Sequence, residues 1–303
     1  MDQTYAIIAQ VRNKSIRLQD WILYHYEEGF NIFIIFDDHS TDDTKDELER
    51  ITNEYGIRIF LSATAGPFNV FGKNDNVLYP TGRKDGELLV KDGEYLKSTH
   101  ATCPELARRI CNSFTRGNDL LKKLFPGAIC TCIDDDEFLV TEIEGKRVVD
   151  VIEDIFEQRK IEYKGKEAPG RYSEQILLSS VDVKDQYELG RWYTANDNTN
   201  QLWSEEELNK DLMWRNRTKC VIKSESMETC TFMHVLLDGA VKTFWDEHNN
   251  VVSAGDVVRD YSLLKIVHFR KPEQLNANIK FTTNNTLLNK CKRMKQKYEE
   301  QNG

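Results

Sequence analysis

The first 61 residues alternate between two periods, and that alternation constrains the fold more than any other feature of the chain. "YAIIAQ" (5–10), "NIFIIF" (31–36) and "IRIFL" (57–61) are short, nearly continuous apolar runs, the form taken by strands buried on both faces. Between the first two lies "RNKSIRLQDWILYHYEEG". There Leu18, Trp21, Ile22 and His25 recur at helical spacing, Ser15 is placed to cap the start and Gly29 to end the helix. Between the second and third runs, the polar loop "DDHSTDDT" leads into "KDELERITNEYG", a second amphipathic helix closed by Gly56. Strand, helix, strand, helix, strand with short connections is a βαβαβ unit, whose strands run parallel and whose crossover helices cover the sheet. The expected class is α/β, with a Rossmann-like start and a mostly parallel central sheet carrying helices on both faces.

Residues 62–102 show no sustained period and read as a long loop or inserted subdomain. The helical period returns in "TCPELARRICNSFTRGNDLLKKLFPG", with Thr102 placed to cap, Pro104 in the first turn, and Leu106, Ile110 and Leu121 on the buried stripe. A strand at 128–133 follows. Beyond it the pattern predicts a helix at 147–159, strands at 175–183, 219–223, 230–237 and 263–269, and a basic helix, "LLNKCKRMKQKYEE". No linker divides the chain, so residues 1–303 are expected to form one domain.

Composition narrows the partners. A net charge of −9 provides no basic field for nucleic acid, but it leaves room for small anions, because a bound divalent cation can reverse the local sign. The apolar part of "MDQTYAIIAQVRNK" is too short for a signal sequence, and no later run reaches the roughly 20 apolar residues of a membrane span. The seven cysteines lack regular spacing, and Cys130 and Cys132 read as buried thiols on one strand face. A reducing, cytoplasmic compartment is expected, and the sequons at Asn13, Asn216 and Asn284 read as chance.

The chemistry concentrates in "GAICTCIDDDEFLV", residues 127–140. Asp134, Asp135, Asp136 and Glu137 crowd at the end of an apolar strand, where like charges repel unless a cation lies among them. On strand parity Asp134 and Asp136 share a side and Asp135 faces the other. Two carboxylates with an open side suit Mn2+ or Mg2+, hard ions that share oxygen ligands with phosphates. The plain alternative is a solvated acidic turn. Asp37 and Asp38 likewise leave a buried strand, and carboxylates there can accept from a base or from ribose hydroxyls. Ser40, Thr41 and Asp42 are suited to cap the helix that follows.

These residues carry a resemblance. "DWILYHYEEGFNIFIIFDDHSTDDT" followed by "CIDDDEFLV" resembles the GT-A nucleotide-sugar glycosyltransferases, and the family 92-like and family 2-like group most of all. That group has a Trp-initiated helix, a D-[DN]-x-S-x-D loop and a D-x-D-E-F strand end. The likeness is dense over residues 5–140 and patchy from 141 to 303, where "KCVIKSESMETCTFMHVL" and "IVHFRKPEQL" are similar to late family segments. It implies a GT-A fold with a D-x-D at a strand end, a nucleotide-sugar-binding half over 1–140 and an acceptor-binding half over 141–303. It also implies metal-dependent transfer from a UDP- or GDP-linked sugar to a glycan or other hydroxyl acceptor, with inversion.

By the same resemblance Asp134 and Asp136 hold Mn2+ or Mg2+ on the diphosphate, with Asp135 beside them in the donor site. Asp37 and Asp38 bind the nucleoside, and Gln10, Val11, Arg12 and Asn13 line the base pocket. Arg109, Asn112 and Arg116 approach the sugar or diphosphate, and His234, or alternatively His268, completes the metal site. The base that takes the acceptor's proton carries no motif; Asp182, Glu205–Glu207 and Asp211 are candidates, with Asp182 preferred. Phe68, Phe71, Tyr79, Trp192, Tyr193, Trp203 and Trp214 could stack on sugar rings. The chain is expected to lack the membrane anchor of secretory members, and it departs from the family in having no Gly-rich segment at "ILLSSVDVK".

Three other readings compete. A sugar-phosphate nucleotidylyltransferase would need a Gly-rich phosphate loop after the first strand, and "QVRNKSIRLQDW" contains no glycine. A metal-dependent phosphoesterase or nuclease would need further His or Asp ligands near that strand. A non-catalytic nucleotide-sugar-binding module would keep the same carboxylates.

Overall fold

A computed structural model describes residues 3–63, 68–71, 104–141, 143–162, 175–184, 187–188, 191–192, 199–201, 218–227, 243–245, 251–253, 263–270, 281–283 and 300. The first half contains β1 (Tyr5–Val11), α1 (Ser15–Glu27), β2 (Ile32–Asp37), α2 (Thr44–Tyr55), β3 (Arg58–Ala63), β4 (Phe68–Phe71), α3 (Pro104–Leu124), β5 (Ile129–Cys132) and β6 (Glu137–Val140). The second contains α4 (Val148–Glu162), β7 (Gln175–Lys184), β8 (Tyr187–Glu188), β9 (Arg191–Trp192), β10 (Thr199–Gln201), β11 (Thr218–Lys223), β12 (Thr243–Trp245), β13 (Val251–Ser253), β14 (Lys265–Arg270) and β15 (Phe281–Thr283).

The main sheet runs β15-β10-β7-β11-β5-β1-β2-β3-β4, with β14 and β6 joined beside β7. Its centre, β5-β1-β2-β3, is parallel, and β14 runs parallel to β7. The flanking pairs β3–β4, β5–β11, β11–β7, β7–β10, β10–β15 and β14–β6 are antiparallel. The α/β class and the parallel centre expected from the sequence are thus observed. β4 falls in the stretch read as irregular; it adds an edge strand to β3. The strand expected at 230–237 and the basic helix near the C-terminus lie outside the described residues, Glu300 apart.

Strand parity sorts the core into two layers. Ile7, Ala9, Val11, Phe33 and Ile35 face α1, α2 and α4, meeting Leu18, Trp21, Ile22, Leu48, Ile51 and Ile152. Ala6, Ile8, Ile32, Ile34 and Phe36 face α3, meeting Ile110, Phe114, Leu120 and Leu121. Each fully buried Val, Leu, Ile or Phe among them contributes roughly 1.5–3 kcal/mol. Both faces of the central strands are covered, as their apolar runs require. Among the described residues no helix is long and apolar enough to cross a membrane.

Two glycines set how closely the helices lie. Gly117, inside α3, faces Ile8 of β1, and a Cβ there would stand 2.6 Å from Ile8 Cγ2. Gly29 ends α1 at φ +101°, and a Cβ on it would meet Val149 Cγ2 at 2.1 Å. That contact belongs to a joint between helices. The Glu28 carboxylate accepts the Val148 N–H (2.8 Å) and the Glu28 carbonyl accepts the Val149 N–H (3.2 Å), so α1's last turn supplies partners for two otherwise orphaned donors of α4.

α1 also completes β6. β14 pairs with one edge of that four-residue strand. Along the other, Trp21 Nε1 donates to the Glu137 carbonyl (2.8 Å), Tyr24 Oη donates to the Leu139 carbonyl (2.9 Å), and the Leu139 N–H donates to His25 Nε2 (3.3 Å). Residues 21, 24 and 25 share one helix face. His25 Nδ1 donates to the Trp21 carbonyl (2.8 Å), so its partners fix the tautomer. The ring is fully buried and stacks on Phe138 at 5.5 Å. Burial holds its pKa down to about 3, against the opposing pull of the Trp21 carbonyl.

Two predictions follow from this packing. Gly117→Ala is expected to destabilise the fold by about 1–3 kcal/mol despite alanine's higher helix propensity, because Ile8 is boxed in the central strand; urea denaturation measures it. For His25, the unfolded chain takes up a proton near pH 6.5 and the folded chain only near 3. The unfolded state therefore binds more protons in that window, and stability falls as pH drops through it, by up to roughly 1.4 kcal/mol per unit from this residue. His25→Gln should be less stable at pH 7 and show a shallower loss between pH 6.5 and 4.5; equal slopes would contradict the assignment.

Candidate functional site

The parallel strands stand in the order β3-β2-β1-β5, so the direction of winding reverses between β1 and β5. In open α/β sheets the crevice beyond the carboxyl ends at such a reversal is where ligands bind. Residues 10–13 leave β1 at that point and residues 133–136 leave β5, with Asp37 ending β2 next door. Two strand spacings separate the β5 and β2 ends, about 10 Å.

The loops after β1 and β2 are laced together. The Asn13 N–H donates to Ser40 Oγ (2.9 Å), the Thr41 N–H to Asn13 Oδ1 (2.8 Å), and the Lys14 N–H to Thr44 Oγ1 (2.9 Å). Asp42 accepts from the Ser15 N–H (3.1 Å), Ser15 Oγ (2.9 Å), the Thr44 N–H (3.1 Å) and the Thr44 hydroxyl. Burial pulls against the charge of Asp42, but the hydrogen bonds from Thr44 and Ser15 outweigh it and hold the carboxyl below its usual range. Ser15 thus begins α1 and ties it to Asp42 instead of capping it; Lys14 occupies the cap position. Asn13 and His39 take left-handed backbone conformations, φ 54° and 60°, which turn the two loops toward each other.

Around these loops the expected donor residues divide by burial. Gln10 is half-buried and accepts from Ser113 Oγ of α3 (2.9 Å); Val11 is buried; Arg12 and Asn13 are exposed. Asp37 is half-buried and accepts the Ser40 N–H (3.0 Å), whereas Asp38 is buried and donates its N–H to the Val11 carbonyl (2.8 Å). Ser113 touches the end of β1 while Gly117 lies against Ile8 deeper in the same strand, so α3 points its N-terminal half toward the ligand edge. Arg109 and Asn112 lie in that half; their side chains are outside the described residues. Arg116 is buried, with its guanidinium carbon 5.4 Å from the Phe36 ring centroid and Nη2 donating to Ser62 Oγ (3.4 Å). It supports the ends of β2 and β3 from beneath.

The acidic cluster forms the link between β5 and β6, a turn at 135–136 and not a strand extension, yet the alternation expected from parity survives. Asp134 and Asp136 are half-buried, and Asp135 is turned inward. Glu137 is 2% exposed; its Oε2 accepts the Asp134 N–H (2.9 Å), and its own N–H donates to the Asp134 carbonyl (3.0 Å). Two lysines meet the inward charges. Lys14 Nζ lies 2.8 Å from Asp135 Oδ2, and Lys219 Nζ, from β11, lies 3.0 Å from Glu137 Oε2 and 3.4 Å from Asp134 Oδ2.

The Lys14–Asp135 pair is unequal. Burial pushes Asp135 up to about 6 despite Lys14, with Asp136 adding to the rise. Lys14, more exposed at 25% against 9% for the Asp135 side chain, is carried above its ordinary value because the carboxylate outweighs its own burial. Burial also opposes the charge of Lys219, but Asp134 and Glu137 overcome it and hold the ammonium above its ordinary value.

Among the described residues no three His, Cys, Asp or Glu side chains converge as a closed metal centre. Two half-buried carboxylates, hard oxygen donors with an open side, still fit Mn2+ or Mg2+ whose remaining positions go to ligand oxygens and water.

Strand register places the remaining candidates. His268 of β14 stands opposite Glu137 of β6 and, on its other side, opposite Asp182 of β7, so the three form one row across neighbouring strands beside the acidic turn. His234, Glu205–Glu207 and Asp211 lie outside the described residues. Sequence reasoning missed Lys14, Lys219 and the inward role of Glu137; the available signal was a lysine at the start of the buried run "KCVIK".

No family model matches the sequence, and no curated protein matches it. Among solved structures, glucosyl-3-phosphoglycerate synthase from Mycobacterium tuberculosis with Mn2+, UDP and glucosyl-3-phosphoglycerate aligns at 12% identity with a TM-score of 0.30. The same enzyme with Mg2+ and UDP aligns at 12% and 0.30. Each alignment covers 74% of this chain and 57% of the solved one.

Removing Lys14 tests the site's electrostatics directly. Lys14→Met should cost roughly 1–3 kcal/mol by leaving Asp135 buried without its ammonium, and Lys14→Met with Asp135→Asn should recover most of that loss. Additive costs in the double-mutant cycle would mean that the pair is not coupled.

Proposed function

We propose that the chain is a metal-dependent glycosyltransferase that moves a sugar from a UDP- or GDP-linked donor to a glycan or other hydroxyl acceptor, with inversion. The carrying observation is the acidic turn at the winding reversal, where Asp134 and Asp136 keep half-buried carboxylates while Asp135 and Glu137 are held inward by lysines. A turn that served only to be solvated would not need two lysines, one of them 2% exposed, to stabilise its inward members.

On this reading residues 1–140 bind the donor and residues 141–303 the acceptor. Asp37 accepts from the nucleoside, Arg12 and Asn13 border it, and Gln10, Val11 and Asp38 shape the pocket floor. Asp134 and Asp136 hold Mn2+ or Mg2+, with Asp135 beneath them. When bound there the ion supplies Lewis-acid stabilisation of the charge on the departing diphosphate. Arg109 and Asn112, in the N-terminal half of α3, are assigned to the same group, and Arg116 braces the strand ends. The bond from the anomeric carbon to the diphosphate oxygen breaks as the acceptor oxygen attacks from the opposite face. Asp182 takes the acceptor's proton. Of the two late histidines, the row shared with Glu137 and Asp182 favours His268 over His234 as the residue completing the donor site.

Calorimetric titration of UDP and GDP, with and without Mn2+, tests this reading. One nucleotide should bind in a Mn2+-dependent manner, and Asp136→Ala should weaken it by at least about tenfold while the variant stays folded. Failure of both nucleotides to bind with Mn2+ or Mg2+ would reject it.

A further inference from the structure

Lys219 is an unusual companion for a cation site. It is 2% exposed, enters from β11, and places Nζ between Glu137 Oε2 (3.0 Å) and Asp134 Oδ2 (3.4 Å). Glu137 is equally buried, and its Oε2 also accepts the Asp134 N–H, so ammonium and carboxylate grip Asp134 by its side chain and its backbone. Asp134 keeps an exposed side, 36% of its side chain, and one oxygen is already engaged.

Resting on the reading that Asp134 and Asp136 take the metal, we infer that Lys219 is a positioning residue that confines Asp134 to one metal-facing oxygen and holds the affinity for metal alone low, so that the metal is retained only when diphosphate oxygens join its shell. An ammonium fixed beside the carboxylate competes with an arriving dication for its charge, so the metal alone binds weakly. The diphosphate brings further negative oxygens and offsets that competition, and by linkage the metal then strengthens nucleotide binding by the same factor. The lysine acts on metal affinity and touches no reacting atom.

The test is Mn2+ binding to the full chain, read from the free-ion electron paramagnetic resonance signal, first with MnCl2 alone and then with saturating UDP or GDP. Lys219→Met should bind Mn2+ alone at least tenfold more tightly than the wild type, whereas Lys219→Arg should stay close to the wild type. Glu137→Gln, which keeps a hydrogen-bonding partner for Lys219 and stands in if Lys219→Met does not fold, should shift the result the other way. With the full ammonium charge falling on Asp134, metal alone should bind at least threefold more weakly. Unchanged or weaker metal-alone affinity in folded Lys219→Met, or unchanged affinity in Glu137→Gln, overturns the inference. If the wild type binds Mn2+ with nucleotide while the variants leave metal-alone affinity unaltered, only the role of Lys219 fails. If the wild type binds no Mn2+–nucleotide pair at all, the functional reading fails with it.

Discussion

The grip of α1 on the backbone of β6 is the interaction on which the site depends. A four-residue strand with β14 on one edge would present its other edge as unpaired amide and carbonyl groups inside the protein, each costing about as much as a lost hydrogen bond. Trp21, Tyr24 and His25 supply those partners from one helix face. β6 begins at Glu137, so fixing it also fixes where the acidic turn ends. The other end is fixed by β5, paired with β1 on one side and β11 on the other. Asp134–Asp136 are thus held between two anchored strands, which fixes the turn at both ends.

The charges are arranged by depth. Members of the cluster that point inward meet lysines from different parts of the chain: Lys14 follows β1, and Lys219 comes from a strand more than eighty residues beyond the turn. Members that point outward keep exposed surface. Burying four carboxylates without compensation would be prohibitive. Meeting the inward ones with ammonium groups leaves Asp134 and Asp136 with surface at the ligand edge, where a divalent ion can reach their oxygens.

Much of this was legible in the sequence wherever one period dominated. The apolar runs at 5–10, 31–36 and 57–61 and the helices between them appear as β1, α1, β2, α2 and β3, because both faces of each strand are buried and the connections are short. The acidic strand end and its partner at Asp37 were legible because chain order alone sends both to the carboxyl edge. Lys219 was not, since its meaning lies in a register between β11 and β5 that a single sequence does not encode. The row Glu137–His268–Asp182 was hidden for the same reason: the residues are remote in sequence and share a row only through the register of β6, β14 and β7. β4 went unread because four residues carry too little pattern to stand out from the loop around them.

The central claim is spatial: a divalent cation belongs between Asp134 and Asp136, at the carboxyl end of β5. Crystals grown with Mn2+ and the nucleotide that binds, measured at the manganese absorption edge, locate the ion directly. The account predicts one anomalous peak within coordination distance of both carboxylates, with nucleotide phosphate oxygens completing its shell. A bound nucleotide with manganese elsewhere, or with the two carboxylates in contact only with water, would contradict it.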